Sequence, residues 1–156
     1  MKNVLIALDY DPTAQKVAET GLMLAKTMKA EVILLHVISD PVNYTSAGHI
    51  TIMGFSGYKE ACAAQVDSDD ALIKASHEFL DKTKLHLKDK NIKTLVVEGD
   101  CAESILKAAK KNKTDIIVMG SHSKKWLENI VMGSVTEKVL HQTSIPLLVI
   151  PTKKRK

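Results

Sequence analysis

The sequence predicts an α/β fold: a single open five-stranded parallel sheet with helices on both faces. Three observations predict it. Five short apolar runs, at 4–8, 32–37, 94–97, 116–119 and 147–150, are nearly continuous rather than alternating, as strands covered on both faces must be. The stretches between most of them carry apolar residues at spacings of three and four, the helical period. At 156 residues the chain is long enough for one domain with its own core.

Each element has its own signal. The first run stops at Asp9, and Asp11-Pro12 follows, a helix cap with proline at the first helical position. Ala14, Val17, Ala18, Gly21, Ala25 and Met28 then mark one face of a helix. After the second run, 39–64 contains Gly48, Gly54, Gly57, scattered polar residues and no period. It reads as a long surface loop, uncommon in a compact domain and often functional. Leu72, Phe79, Leu80 and Leu87 place a second helix within 67–90. Asp100-Cys101-Ala102-Glu103 has the spacing of a capping box and opens a third stripe, Ala102, Ile105, Leu106 and Ala109. Ser134-Val135-Thr136-Glu137 has the same spacing and opens a fourth, with Val135, Val139 and Leu140. No repeat or linker divides the chain, so 1–152 is expected to be one domain and 153–156 a basic tail.

Composition excludes several function classes. Apolar residues make up 45%, which is globular rather than disordered. The net charge of +4 comes from Lys153, Lys154, Arg155 and Lys156; with these set aside, 18 basic residues face 18 acidic ones. A neutral body with a solvated basic end is no nucleic-acid footprint. Three tyrosines, two phenylalanines and one tryptophan are too few to stack bases along a basic surface. Cys62 and Cys101 do not make a disulfide framework. The first apolar run is too short for a signal peptide, and no run reaches the ~20 residues of a membrane span. A cytoplasmic protein without nucleic-acid or membrane partners is expected.

The chemistry concentrates at two strand ends. Met119-Gly120-Ser121-His122-Ser123 follows the fourth run, and Gly133-Ser134-Val135-Thr136 opens the last helix. A small-residue loop leading into a helix N-terminus can ring a phosphate with backbone N–H groups. On spacing alone Ser134 reads first as a cap, which needs no ligand. Asp9 lies beyond the carboxyl end of the first strand, where open sheets bind ligands and a carboxylate can accept ribose hydroxyls. Asp11 reads as a plain cap. Lys124 and Lys125 either assist a phosphate or are simply solvated. Cys101 sits at a helix N-terminus but has no histidine near it in sequence. The six histidines show no ligand-spaced pair, and Gly-x-Gly-x-x-Gly, P-loop, His-Glu-x-x-His and Gly-x-Ser-x-Gly motifs are absent, so neither a metal nor a catalytic set is expected.

These motifs jointly resemble the universal stress protein family over essentially the whole chain. The resemblance rests on Asn3-Val4-Leu5-Ile6-Ala7-Leu8-Asp9, Leu35-His36-Val37-Ile38, Gly99-Asp100-Cys101-Ala102-Glu103, the Gly120 and Gly133-Ser134 loop, and Ile145-Pro146-Leu147-Leu148-Val149-Ile150. The family's loop reads Gly-x2-Gly-x9-Gly-Ser/Thr; here Ser123 stands at the middle glycine. The resemblance implies a Rossmann-like sheet of order 3-2-1-4-5 and a nucleotide over its carboxyl edge, ATP or AMP, with or without Mg2+. By that resemblance Ala7 and Val37 line the adenine pocket and Asp9 contacts ribose. Backbone at Gly120, His122 and Ser123 meets phosphate, with Gly133, Ser134 and Val135 completing the cradle. It also places the last strand at a sheet edge, and that strand's uncharged sequence points to a homodimer paired through it. The expected function is a dimeric stress-response sensor or regulator, with at most slow ATP hydrolysis. The competing readings are a dimeric interaction protein of the same fold without nucleotide and a receiver-like phosphoacceptor domain.

Overall fold

The computed structural model describes residues 2–10, 12–39, 69–121 and 133–152. Through them strands and helices alternate: β1 (Asn3–Ala7), α1 (Ala14–Met28), β2 (Glu31–Ile38), α2 (Asp69–Leu87), β3 (Lys93–Glu98), α3 (Cys101–Lys111), β4 (Ile116–Gly120), α4 (Ser134–Gln142) and β5 (Leu147–Ile150). All five apolar runs are strands, in one parallel sheet of order β3-β2-β1-β4-β5. This is the architecture the sequence predicts, and β5 is an edge strand as expected. The loop expected at 39–64 lies almost wholly outside the described residues.

Strand β1 is the centre. Val4, Leu5 and Ile6 are each 0% exposed, because β2 and β4 pair with its two edges and helices cover both its faces. The strand period of two sorts these residues. Val4 and Ile6 join Leu34, Val118, Phe79 and Leu80 in the core beneath α1 and α2. Leu5 joins Ile33, Leu35, Ile117, Ile105 and Val139 in the core beneath α3 and α4.

Helix ends follow local chemistry with two departures from expectation. Asp100 caps α3, its Oδ1 accepting from the Glu103 N–H at 3.0 Å, as the capping spacing predicts. For α1 the cap position belongs to Thr13, and Pro12 lies outside the helix. Thr13 already has helical angles (φ −85, ψ −5) and its carbonyl accepts from the Val17 N–H. Asp11 itself lies outside the described residues. For α4 the cap is Gly133, with extended φ −70 and ψ 153, so Ser134 is the first helical residue rather than the cap. Of the expected stripe, Val139 is buried and Val135 packs against the core, but Leu140 is 48% exposed, and Thr136 is buried in its place.

Helix α1 lies close against β1 because Gly21 faces the sheet. A Cβ there would come within 2.6 Å of Ile6 Cδ1 and 2.9 Å of Ile6 Cγ1. Glycine inside a helix costs about 1 kcal/mol relative to alanine, and here it allows that contact. Gly21→Val is therefore expected to destabilise the fold by about 1–3 kcal/mol through overpacking. Urea denaturation measures this, and an unchanged midpoint would show that α1 shifts without cost.

Candidate functional site

The order β3-β2-β1-β4-β5 reverses at β1 and β4: the chain leaves β1 towards β2, while β4 lies on the other side. In an open parallel sheet the crevice at such a reversal, beyond the carboxyl ends, is where loops diverge and leave room for a ligand. Three pieces of chain meet there: the turn after β1, the end of β4 with β5, and the start of α4.

The turn after β1 is tied down on both sides of Asp9. The Leu8 N–H donates to the Leu35 carbonyl at 2.8 Å. The Leu8 carbonyl lies 2.8 Å from His36 Nδ1; a carbonyl only accepts, so Nδ1 carries the proton. Tyr10 Oη lies 2.6 Å from Ser76 Oγ, which in turn donates to the Leu72 carbonyl at 2.9 Å, so the tyrosine is the donor. The Tyr10, His36 and Phe79 rings pack together, with centroids 4.4 Å apart for Tyr10–His36 and 5.0 Å for Tyr10–Phe79. Burial lowers the His36 pKa, opposed by the Leu8 bond and the Asp9 carboxylate, so the ring is neutral near pH 7. Asp9 itself is exposed, presented outward from a fixed turn.

The end of β4 is equally constrained. A Cβ on Gly120 would lie 3.0 Å from Thr152 Cγ2 and 3.1 Å from Val17 Cγ2, so the strand end is hemmed in by α1 and the residues after β5. The Ser121 N–H donates to the Ile150 carbonyl at 2.9 Å, and Ser121 Oγ accepts from the Thr152 N–H at 3.1 Å. Lys16 Nζ closes the same corner on the Pro151 carbonyl at 2.7 Å.

The start of α4 is joined to this strand end by a part-buried bond: Thr136 Oγ1 donates to the Gly120 carbonyl at 3.0 Å. No side chain of the cap residue bonds the first turn, because Gly133 has none. Among the described residues, the first N–H groups of α4 and the positive end of its dipole are thus open to an anion. On the neighbouring helix, Asp100 is held below the usual carboxylate range by the Glu103 N–H and then by Lys138, whose Nζ lies 3.1 Å away. That bond ties the start of α3 to α4.

The structure brings most of the sequence-predicted site together. Ala7 and Val37 pack with the α3–α4 core at the carboxyl ends of neighbouring strands, and Val135 packs against the same core. Gly120 ends β4, Gly133 is buried at the α4 cap, and Ser134 is exposed beside it. His122, Ser123, Lys124 and Lys125 lie outside the described residues. Cys101 is a free, half-buried thiol at the first position of α3. Sequence reasoning missed Tyr10, His36, Ser76 and Thr136. A histidine and two hydroxyls at otherwise apolar positions were the available signal.

Comparisons agree with this architecture. The family model described as "Universal stress protein family" matches residues 1–151. Universal stress protein MJ0577 of Methanocaldococcus jannaschii is 33% identical, over 97% of this chain and 96% of its own. Stress response protein NhaX of Bacillus subtilis is 27% identical, over 94% of this chain and 96% of its own. The solved structure of MJ0577 superposes with a TM-score of 0.72 at 30% identity, covering 99% of this chain and 98% of that one. A universal stress protein from Archaeoglobus fulgidus in complex with dAMP shares the fold, with a TM-score of 0.61 at 15% identity over 96% and 98% of the two chains.

Thr136→Val keeps the side chain's shape and removes the bond that joins α4 to β4. It should destabilise the protein by about 1 kcal/mol, leaving the Gly120 carbonyl without that donor. Thermal or denaturant unfolding reads this directly, and parental stability would mean the strand end and helix hold without the hydroxyl.

Proposed function

The chain belongs to the universal stress protein family, and from the carboxyl edge of its sheet we propose that it binds an adenine nucleotide, ATP or AMP. One observation carries the reading. The glycine-led, side-chain-uncapped N-terminus of α4 is held against the end of β4 by Thr136, at the reversal of strand order that also carries the exposed Asp9. A helix start without its own cap suits a phosphate, whose charge the N–H groups and dipole stabilise. The solved relative in complex with dAMP and another universal stress protein in complex with cAMP support an adenine ligand.

In this reading the N–H groups of Ser134 and Val135, behind Gly133, face the phosphates. Gly120 forms the other wall, and the family pattern assigns phosphate contacts to the backbone of His122 and Ser123, which lie outside the described residues. Asp9 accepts the ribose hydroxyls, and Ala7 and Val37 give the adenine an apolar bed. Mg2+ enters with the phosphates where the ligand is ATP. The role that follows is a cytoplasmic stress-response sensor or regulator whose signal is nucleotide occupancy.

Titration calorimetry should show ATP binding tighter than about 1 mM, roughly −4 kcal/mol. Gly133→Val should abolish it while the fold persists, since the extended angles of Gly133 suit valine and in this reading a side chain there intrudes where backbone approaches phosphate. No heat and no thermal shift at millimolar ATP would favour the same fold as an interaction protein without nucleotide.

The proposed assembly is a homodimer through β5. This edge strand pairs only with β4 among the described residues, and Leu147, Leu148 and Val149 are half-buried with no charge on the strand. Antiparallel pairing of two copies would satisfy both free edges. Sedimentation at micromolar concentration should show a dimer, and Val149→Lys should yield monomer or aggregate. A parent that sediments as a monomer would remove the proposal.

A further inference from the structure

Beneath the proposed site lies a polar group that nucleotide binding does not use. His36 is 2% exposed, and its Nε2 has no hydrogen-bond partner among the described residues. A buried ring nitrogen normally finds one, because leaving it unmade costs about 1–3 kcal/mol. The other nitrogen is fully committed: Nδ1–H donates to the Leu8 carbonyl at 2.8 Å, the residue before Asp9.

We propose that His36 is a positioning residue for the nucleotide site, fixing the turn that presents Asp9 only while its ring is neutral, so that acid weakens nucleotide affinity. The inference rests on the nucleotide reading above and adds its regulation by protons.

The geometry disfavours the charged form. A second proton must go on Nε2, where no described residue accepts it. Around the ring, the turn supplies Tyr10 and Asp9, α2 supplies Phe79 and Ser76, β3 supplies Val96, and α1 turns Ala14 and Val17 to the adjoining core. Of these only Asp9 carries charge, and it favours the protonated ring. The charged ring is relieved either by leaving its place or by drawing the Asp9 carboxylate inward. Both movements take Asp9 from the outward position that a ribose requires.

The sign follows from burial. The fold holds the His36 pKa below the ordinary 6.5, so the unfolded or opened state binds the proton more readily. The neutral arrangement is fully favoured above that ordinary value and is lost as pH falls from it through the lower value of the folded protein.

The test compares the parent with His36→Asn, whose amide can still donate to the Leu8 carbonyl but does not titrate, and with His36→Phe, which fills the space without a donor. Calorimetry with ATP is run between about pH 7.5 and about pH 5. Ratios of parent to variant affinity cancel the titration of ATP itself. The parent should lose about fivefold or more in affinity relative to His36→Asn across this range. His36→Phe should bind more weakly than the parent near neutrality, with no excess loss in acid. A shared pH profile for parent and His36→Asn, or parental affinity in His36→Phe, would overturn the inference.

Two readouts on the parent need neither nucleotide nor variant folding. Imidazole 15N shifts should show the Nδ1–H tautomer at neutral pH and protonation below the ordinary range. Hydrogen exchange of the Leu8 amide, corrected for its intrinsic rate, should speed up over the same interval. Failure to bind ATP at any pH removes the nucleotide reading, while the exchange arm still decides whether His36 holds the turn. A Leu8 amide protected equally at both pH values refutes that role.

Discussion

The structure depends on β1 having a parallel partner on each edge and a helical layer on each face. A strand in that position exposes no backbone group and no side chain to water, which is why Val4, Leu5 and Ile6 are fully buried. Its neighbours are separated from it in sequence by helices, since parallel strands cannot be joined by tight turns. Once β1 is central, with β2 and β4 on opposite sides, the reversal of strand order falls between β1 and β4. The place where a ligand can enter is therefore a consequence of burying one hydrophobic strand.

The same constraint separates two ends of the molecule with different chemistry. Every helix runs against the strands, so helix starts gather at the carboxyl edge and helix ends at the amino edge. At the amino edge, Lys29, Lys88 and Lys113 adopt left-handed angles, with φ 52, 54 and 48, where glycine is the easier residue. Each costs about 1 kcal/mol in backbone strain. A cation beside the negative end of a helix dipole returns a comparable amount. At the carboxyl edge the logic is inverted: Asp100 caps α3 with a carboxylate, whereas the cap of α4 is a glycine with no side chain to bond its first N–H groups.

Rigidity around this edge is built from bonds between elements distant in sequence. Tyr10 reaches Ser76, His36 reaches Leu8, Thr136 reaches Gly120 and Lys16 reaches Pro151. None of these groups is a site residue by the usual signals, yet together they set where Asp9 and the start of α4 stand. A binding site of backbone N–H groups and one carboxylate needs such support, because its groups cannot adjust individually.

What the sequence by itself determined is what periodicity and composition encode locally. The five apolar runs named the strands, the spacings of Ala14 to Met28 and of Ala102 to Ala109 named helices, and Asp9, Gly120 and Gly133 marked the turn after β1, the end of β4 and the start of α4. Caps were less legible. Asp11 and Ser134 had the right spacing, but where a helix begins is decided by its backbone: the first helical bond of α1 is accepted by Thr13, and Gly133 holds the extended angles before α4. Leu140 showed the limit of a stripe on a nine-residue helix, where one step around the axis separates core from solvent. Only the tertiary structure decided that Gly21 faces Ile6. It also decided that Thr136 spends its hydroxyl on a strand carbonyl and that His36 is buried with one nitrogen unpartnered among the described residues. The physical reason is that a pattern records which face of an element is apolar, while hydrogen-bond partners depend on which other element folds against it.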